Sequence, residues 1–294
     1  MRKNERSDEM ISNLNNLKLG SPSKVATVEL DSLQFSVLAS GSSGNCTYIE
    51  SSTTRLMVDA GLSGKKIEGL FQQIDRSLKD VDAILVTHEH KDHIHGLGVL
   101  ARRYHIPIYA NRRTWDAMMP SLGKIDPGLC FLFETDTMLT IGDIDIISFP
   151  VSHDAIQPQF YAFQKAKKQF VMLTDTGYVS DRLRDQLKNA SAYLIESNHE
   201  LEMLRSGRYP WSLKQRILGD KGHLSNEDGA LAMVDLIGNQ TKSIYLGHLS
   251  RDNNTKEIAM KSMEYILHQH DFATTDSMRL YMTHPDQATG LRRI

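Results

Sequence analysis

An α/β fold of two sheets packed face to face, with helices on both outer surfaces, is predicted by three features of this sequence. Short apolar strands bounded by turn-forming residues recur along most of the chain. In each half, a run of strands gives way to alternating strands and helices. No long linker and no repeat of 20–50 residues divides the 294 residues, which suits one large domain.

Residues 1–33 carry charges of both signs and a stretch, ISNLNNLKLG, without a period of two, so they are expected to form a mobile extension holding one short helix. FSVLAS (35–40), CTYIE (46–50) and RLMVD (55–59), separated by SGSSGN and SSTT, predict a meander. The pattern then changes to a helix over 64–74, a buried strand DAILV (82–86), a helix over 96–104 and a strand PIYA (107–110). Strands return at IDIISF (144–149), FYAFQ (160–164) and FVMLT (170–174). Helices over 180–189 and 225–237 alternate with the strands YLIE (193–196) and SIYLG (243–247). A helix over 255–269 and a strand MRLYMT (278–283) complete a catalytic domain expected to span 34–284, with 285–294 as a C-terminal tail.

Composition narrows the function classes. Lys plus Arg total 34 against 36 for Asp plus Glu, a formal charge of -2, so any polyanion must be met by a local basic patch rather than by a global field. With 40% hydrophobic and 24% charged residues the chain is neither disordered nor disulfide-rich. No apolar run approaches the roughly 18–20 residues of a spanning helix, and no apolar core follows MRKNERSDEM, so a cytoplasmic protein with no membrane partner is expected. Cys46 and Cys130 are expected to be free thiols.

The strongest chemical signal is THEHKDH (87–93), directly after the buried strand 82–86. His88, His90, Asp92 and His93 fall within six residues. On a helix, positions two apart point about 200° from each other, so His88 and His90 converge on one ion only from an extended or looped backbone. The helical His-Glu-x-x-His zinc pattern would need histidine at 92, where Asp92 stands. Imidazole with carboxylate suits zinc, and also manganese or iron, and ligation without cysteine argues against a purely structural zinc. His153, Asp175 and His248 each follow a predicted strand, so their side chains can meet the first four at one sheet edge. Seven ligands are too many for one tetrahedral zinc, and two divalent ions per chain are expected.

Asp59 in VDAG, the His-x-His-x-Asp-His run, His153, Asp175 in LTDTG and His248 resemble the five ordered motifs of the metallo-β-lactamase superfamily over roughly residues 35–283. The resemblance implies an αββα four-layer sandwich. It implies one metal on His88, His90 and His153, a second on Asp92, His93 and His248, and Asp175 between them. Asp59 would accept a hydrogen bond from a ligand histidine and fix its tautomer. Iron is less expected, because His90 stands where the superfamily's di-iron members commonly place a carboxylate.

Such a pair of ions lowers the pKa of a shared water from 15.7 toward about 7, and a metal-bridged hydroxide is the expected nucleophile for a phosphodiester, with Asp92 both ligand and catalytic residue. Glu196 in IESNH and His223 in KGHLSN are the candidates for protonating the leaving oxygen. The order Glu196, His223 with Ser225, then His248 is similar to the Glu/His/His order of the superfamily's tRNA 3′-processing branch. LASGSSGN (38–45), ESNH (196–199), YPWSLKQRILGDKGHLSN (209–226) and LGHLSRDNNT (246–255) together resemble the YycJ/WalJ subfamily, implicated as 5′→3′ DNA exonucleases.

Between 201 and 221, Arg205, Arg208, Lys214, Arg216 and Lys221 are interleaved with Tyr209 and Trp211. Arg208, Trp211 and Lys214, with Ser225 and Asn226 beside His223, are expected to contact a DNA end. Arg102, Arg103, Arg112 and Arg113 form a second, weaker basic group. The leading expectation is thus a dinuclear metal nuclease. The alternatives are a thioester or lactone hydrolase on the same centre, for which no additional helical thiol-cofactor domain is visible after His248, and a non-enzymatic metal-binding regulator, which would have no need of all seven ligands.

Overall fold

In the computed structural model, residues 32–272 and 278–294 are described. The expected extension lies outside the described residues except for its last two, and Leu33 is already buried between the sheets. The first sheet contains β1 (Gln34–Ala39), β2 (Cys46–Glu50), β3 (Arg55–Val58), β4 (Ala83–Leu85), β5 (Ile108–Ala110) and β6 (Cys130–Leu132), side by side in that order. Its first three strands form the expected antiparallel meander, and β3 through β6 run parallel. The second sheet repeats this plan with β7 (Met138–Ile141), β8 (Ile144–Pro150), β9 (Gln159–Lys165), β10 (Lys168–Leu173), β11 (Ala192–Glu196), β12 (Ser243–Gly247) and β13 (Arg279–Met282). Here β7 through β10 are antiparallel and β10 through β13 parallel.

Alternation along each strand builds the layers. Leu56 and Val58 face the second sheet and Met57 faces the helices; Phe170 and Met172 face the first sheet while Val171 and Leu173 face outward. Between the sheets the Phe35 and Phe170 rings stack at 3.9 Å. The helices α1 (Gly64–Gln73), α2 (Lys91–Ile94), α3 (Leu97–Tyr104) and α4 (Arg112–Leu122) belong to the first half of the chain. To the second half belong α5 (Asp181–Leu187), α6 (Leu201–Ser206), α7 (Trp211–Leu218), α8 (Asn226–Leu236) and α9 (Lys256–Gln269). The αββα sandwich is therefore present. None of the described helices is long and apolar enough to cross a membrane. Cys46 and Cys130 are free thiols.

Several elements escaped the sequence reading. Helix α4 contains Pro120, a breaker in pattern reading; it forms because Asn111 caps it, accepting from Thr114 N–H at 2.8 Å, and because Trp115, Met118 and Leu122 are buried on one face. Strands β6 and β7 are short and largely exposed, so they show no apolar alternation. The residues set apart as a tail include β14 (Arg292–Arg293), which pairs antiparallel with Gln34 and Phe35 and extends the first sheet.

Asp143, in the β7–β8 turn, ties the two sheets together away from the site. Its carboxylate accepts from Ser51, from Thr54 Oγ1 at 2.8 Å, and from Lys165 Nζ at 2.5 Å. Burial works against the charge, but these donors outweigh it and hold the carboxyl well below the ordinary range. A depressed pKa adds stability that is present above the unfolded value of about 3.9 and is lost as pH falls toward the folded one. Asp143→Asn should therefore cost about 1–3 kcal/mol in urea unfolding at pH 7, and the difference from wild type should narrow below about pH 3. A gap of the same size at both pH values would assign the loss to shape rather than charge.

Candidate metal centre

The parallel strands of both sheets end at one edge of the sandwich, and β8, two antiparallel steps from β10, runs in the same direction. Every expected ligand lies just beyond such an end. Asp59 follows β3, THEHKDH follows β4, His153 follows β8, Asp175 follows β10 and His248 follows β12. Asp59, Asp175 and His248 all adopt left-handed backbone, with φ of 59°, 57° and 55°. For non-glycine residues this conformation costs about 1–3 kcal/mol each and concentrates at functional sites. It turns each chain sharply at its strand end.

His88 and His90 lie on extended or looped backbone, as the two-residue spacing requires, and α2 begins only after His90, bringing Asp92 and His93 inward. The turn admits no side chain at Gly61, where a Cβ would lie 1.6 Å from the Asp92 carbonyl oxygen. Ligand atoms of His88, His90 and His153 lie within 4.8 Å of one another, as do those of His88, His93 and Asp175, and those of Asp175, Glu196, His223 and His248. Asp175 belongs to two of these groups. Its Oδ2 is 2.9 Å from His248 Nδ1 and 3.4 Å from His93 Nε2. Asp92 sits at the rim, 3.6 Å from His93 Nε2 and partly exposed.

These donors fit divalent metal. Nε2 of His88 is buried without a hydrogen-bond partner among the described residues, while its Nδ1 meets Thr87 Oγ1 at 3.0 Å. Burial, reinforced by the charge of His93, holds His88 well below the usual imidazole range. It is neutral, with a lone pair aimed into the cluster. Asp59 accepts from Thr87 N–H and Oγ1–H, both at 2.9 Å, and its Oδ2 is 2.8 Å from His93 Nδ1, so Asp59 orients the ring of His93. Burial opposes protonation of His93, but Asp59 and then Asp175 outweigh it and raise the pKa to about 10.

Beside this cluster, Glu196 is fully buried and its Oε1 is 2.7 Å from His223 Nδ1. Its Oε2 accepts from Thr176 N–H at 2.9 Å. Burial pulls the pKa of His223 down, but the Glu196 charge and hydrogen bond overcome it, leaving the imidazole at about 9.

The expected substrate contacts differ in their exposure. Ser225 is buried and caps α8, accepting from Asp228 N–H at 3.0 Å, and the Asn226 amide is buried against Asn254 and Ser197. Lys214 is also buried, its ammonium donating to the Arg205 carbonyl at 2.6 Å. These three side chains are committed inside the protein, whereas Arg208 and Trp211 are on the surface. In the second basic group, Arg102 donates to the Leu122 carbonyl at 2.7 Å and Arg103 pairs with Glu68. Arg216 pairs with Asp154, the residue after His153, so α7 is held over the site. Sequence reasoning passed over Thr87, Asp154 and Asn45, whose Nδ2 lies 3.1 Å from His93 Nε2; each adjoins or ends a motif already noted.

Residues 54–249 match the family described as the β-lactamase superfamily domain. The chain is also 58% identical over 263 residues to exodeoxyribonuclease WalJ of Streptococcus pneumoniae, covering 89% of this chain and 98% of that one. It belongs to the WalJ/YycJ branch of the β-lactamase superfamily. Exodeoxyribonuclease YycJ of Bacillus anthracis is 52% identical over 262 residues, covering 89% of this chain and 99% of the relative. Among solved structures, the metallo-β-lactamase fold protein YhfI of Bacillus subtilis aligns with a TM-score of 0.67 at 16% identity, over 90% of this chain and 100% of that one. Human short-form tRNase Z aligns with a TM-score of 0.59 at 13% identity, over 87% and 98%. Those two likenesses are of fold.

For a WalJ/YycJ-branch protein, the contact between Asp59 and His93 yields a direct test. Asp59→Asn should weaken metal binding about 10- to 100-fold, read by competition with a chromogenic chelator. Unchanged affinity would mean that Asp59 supports the backbone of Thr87 and not the ligand.

Proposed function

We propose that this chain is a nuclease that uses two divalent ions, zinc or manganese, to remove nucleotides from DNA ends in the 5′→3′ direction. The grouping of His88, His90 and His153 supports one ion there; the second is assigned by the family resemblance to Asp92, His93 and His248, with support from the approach of Asp92 to His93 and of Asp175 to both His93 and His248. Such ions, when bound, supply an activated water and neutralise phosphate oxygens. Nuclease action is supported by the relatives named exodeoxyribonuclease at 52–58% identity. The 5′→3′ polarity rests on the likeness of LASGSSGN, ESNH and LGHLSRDNNT to the YycJ/WalJ subfamily.

The observation that carries the reading is the Glu196–His223 pair. Because Nδ1 of His223 faces Glu196 at 2.7 Å, its proton for the reaction is at Nε2, and His223 lines a cavity of about 190 Å³ beside the ligands. Glu196 keeps the imidazole charged near neutral pH and fixes the ring, so Nε2 protonates the departing sugar oxygen. A small ester with an acidic leaving group would not need this.

DNA labelled separately at its 5′ and 3′ ends, incubated with metal-loaded protein, should release the 5′ label first in short products. Early internal fragments or prior loss of the 3′ label would overturn the assignment. His223→Ala should keep its metal, lower kcat on DNA roughly 10²- to 10⁴-fold, and lose much less on a nitrophenyl phosphodiester. Glu196→Gln should follow the same leaving-group dependence more mildly, and the double variant should be far less damaged than the product of the singles. Metal loss in His223→Ala, or equal damage on both substrates, would make His223 a ligand or phosphate clamp.

A further inference from the structure

Two cavities adjoin the metal centre and share a wall. The smaller, about 190 Å³, lies over His223, and the larger, about 920 Å³, extends away toward α1 and the start of α9. Ser42, Tyr209 and Ser250 line both. The larger cavity approaches the centre at Ser40, which lies in its wall and accepts from the His248 backbone N–H at 2.8 Å. Cations line it: Lys66 and Arg251 are exposed and, among the described residues, in no ion pair, and the Lys256 ammonium faces His284 rather than a carboxylate. Of the two lining carboxylates, Asp252 accepts from Tyr209 Oη–H at 2.8 Å, and Asp286 is exposed near the C-terminus. Lys66, Gly69 and Gln73 share one face of α1, and a Cβ at Gly69 would meet nothing within 4 Å.

We infer that the larger cavity holds the retained single strand of the DNA substrate, with phosphates on Lys66, Arg251 and Lys256 and a base against the Tyr209 ring. This rests on the nuclease reading and moves the DNA path away from Lys214, which is buried and bound internally. The volume is near the upper end of ordinary ligand pockets, large enough for a short stretch of strand. Three cations and an aromatic ring in a groove are what sequence-tolerant strand binding requires. The smaller cavity then takes the nucleotide being removed.

Gly69 permits a test in both directions, because its site is open and helical and either charge can be added without a clash. With metal-loaded full-length protein and a fluorescent single-stranded DNA of about 12 nucleotides made cleavage-resistant by phosphorothioate linkages, Gly69→Glu should raise Kd about tenfold at low salt. Gly69→Lys should lower Kd several-fold and steepen the salt slope by about 0.7, the increment for one further phosphate contact on a single strand. Lys66→Glu should weaken binding like Gly69→Glu. Metal content should match wild type in all three and melting temperature should not fall, the two Gly69 variants gaining slightly from the loss of a helix-interior glycine, so a folding defect would be visible. If wild type degrades DNA but both Gly69 variants leave Kd and slope unchanged, or shift them the same way, the groove assignment is wrong while the nuclease reading stands. If wild type neither binds nor degrades DNA, both fall.

Discussion

The site depends on a carboxylate, Asp175, buried among imidazoles. Burial alone would drive it neutral, yet the facing charges of His248 and His93 hold it well below the ordinary carboxylate range. An isolated buried charge is prohibitive, so Asp175 and its histidines stand or fall as a set. Divalent ions, where bound, would take over from the imidazolium protons the neutralisation of Asp175.

Geometry makes that convergence possible. Each half of the chain repeats a meander followed by parallel strands, and packing the two sheets sets all the parallel ends on one edge. Left-handed turns at Asp59, Asp175 and His248 then bend the chain where each strand stops. The inter-sheet core, including the Phe35–Phe170 stack, supplies the rigidity that keeps such turns in place. Arg216, bound to Asp154, carries the constraint outward by docking α7 against the loop that carries His153.

Much of this was legible in the sequence because the signals were local. The run His88 to His93, the strand-end positions of His153, Asp175 and His248, and the period-two strands each follow from neighbouring residues. The strands that escaped were exposed and short, as in β6 and β7, or only two residues long, as in β14, and α4 was obscured by Pro120. Substrate contacts were less legible for a different reason. Charge in a segment does not say which way a side chain points, so Lys214 read as a DNA contact although its ammonium is satisfied by the Arg205 carbonyl. Conversely, Lys66 lies far in sequence from Arg251 and Lys256, and the three line one cavity only once the chain is folded.

Two cations are proposed to share Asp175. Anomalous scattering from crystals loaded with manganese or zinc tests it most directly. Two peaks are expected to flank the Asp175 carboxylate, one among His88, His90 and His153 and the other among Asp92, His93 and His248. A single peak under metal-replete conditions, or two peaks neither of which contacts Asp175, would contradict it.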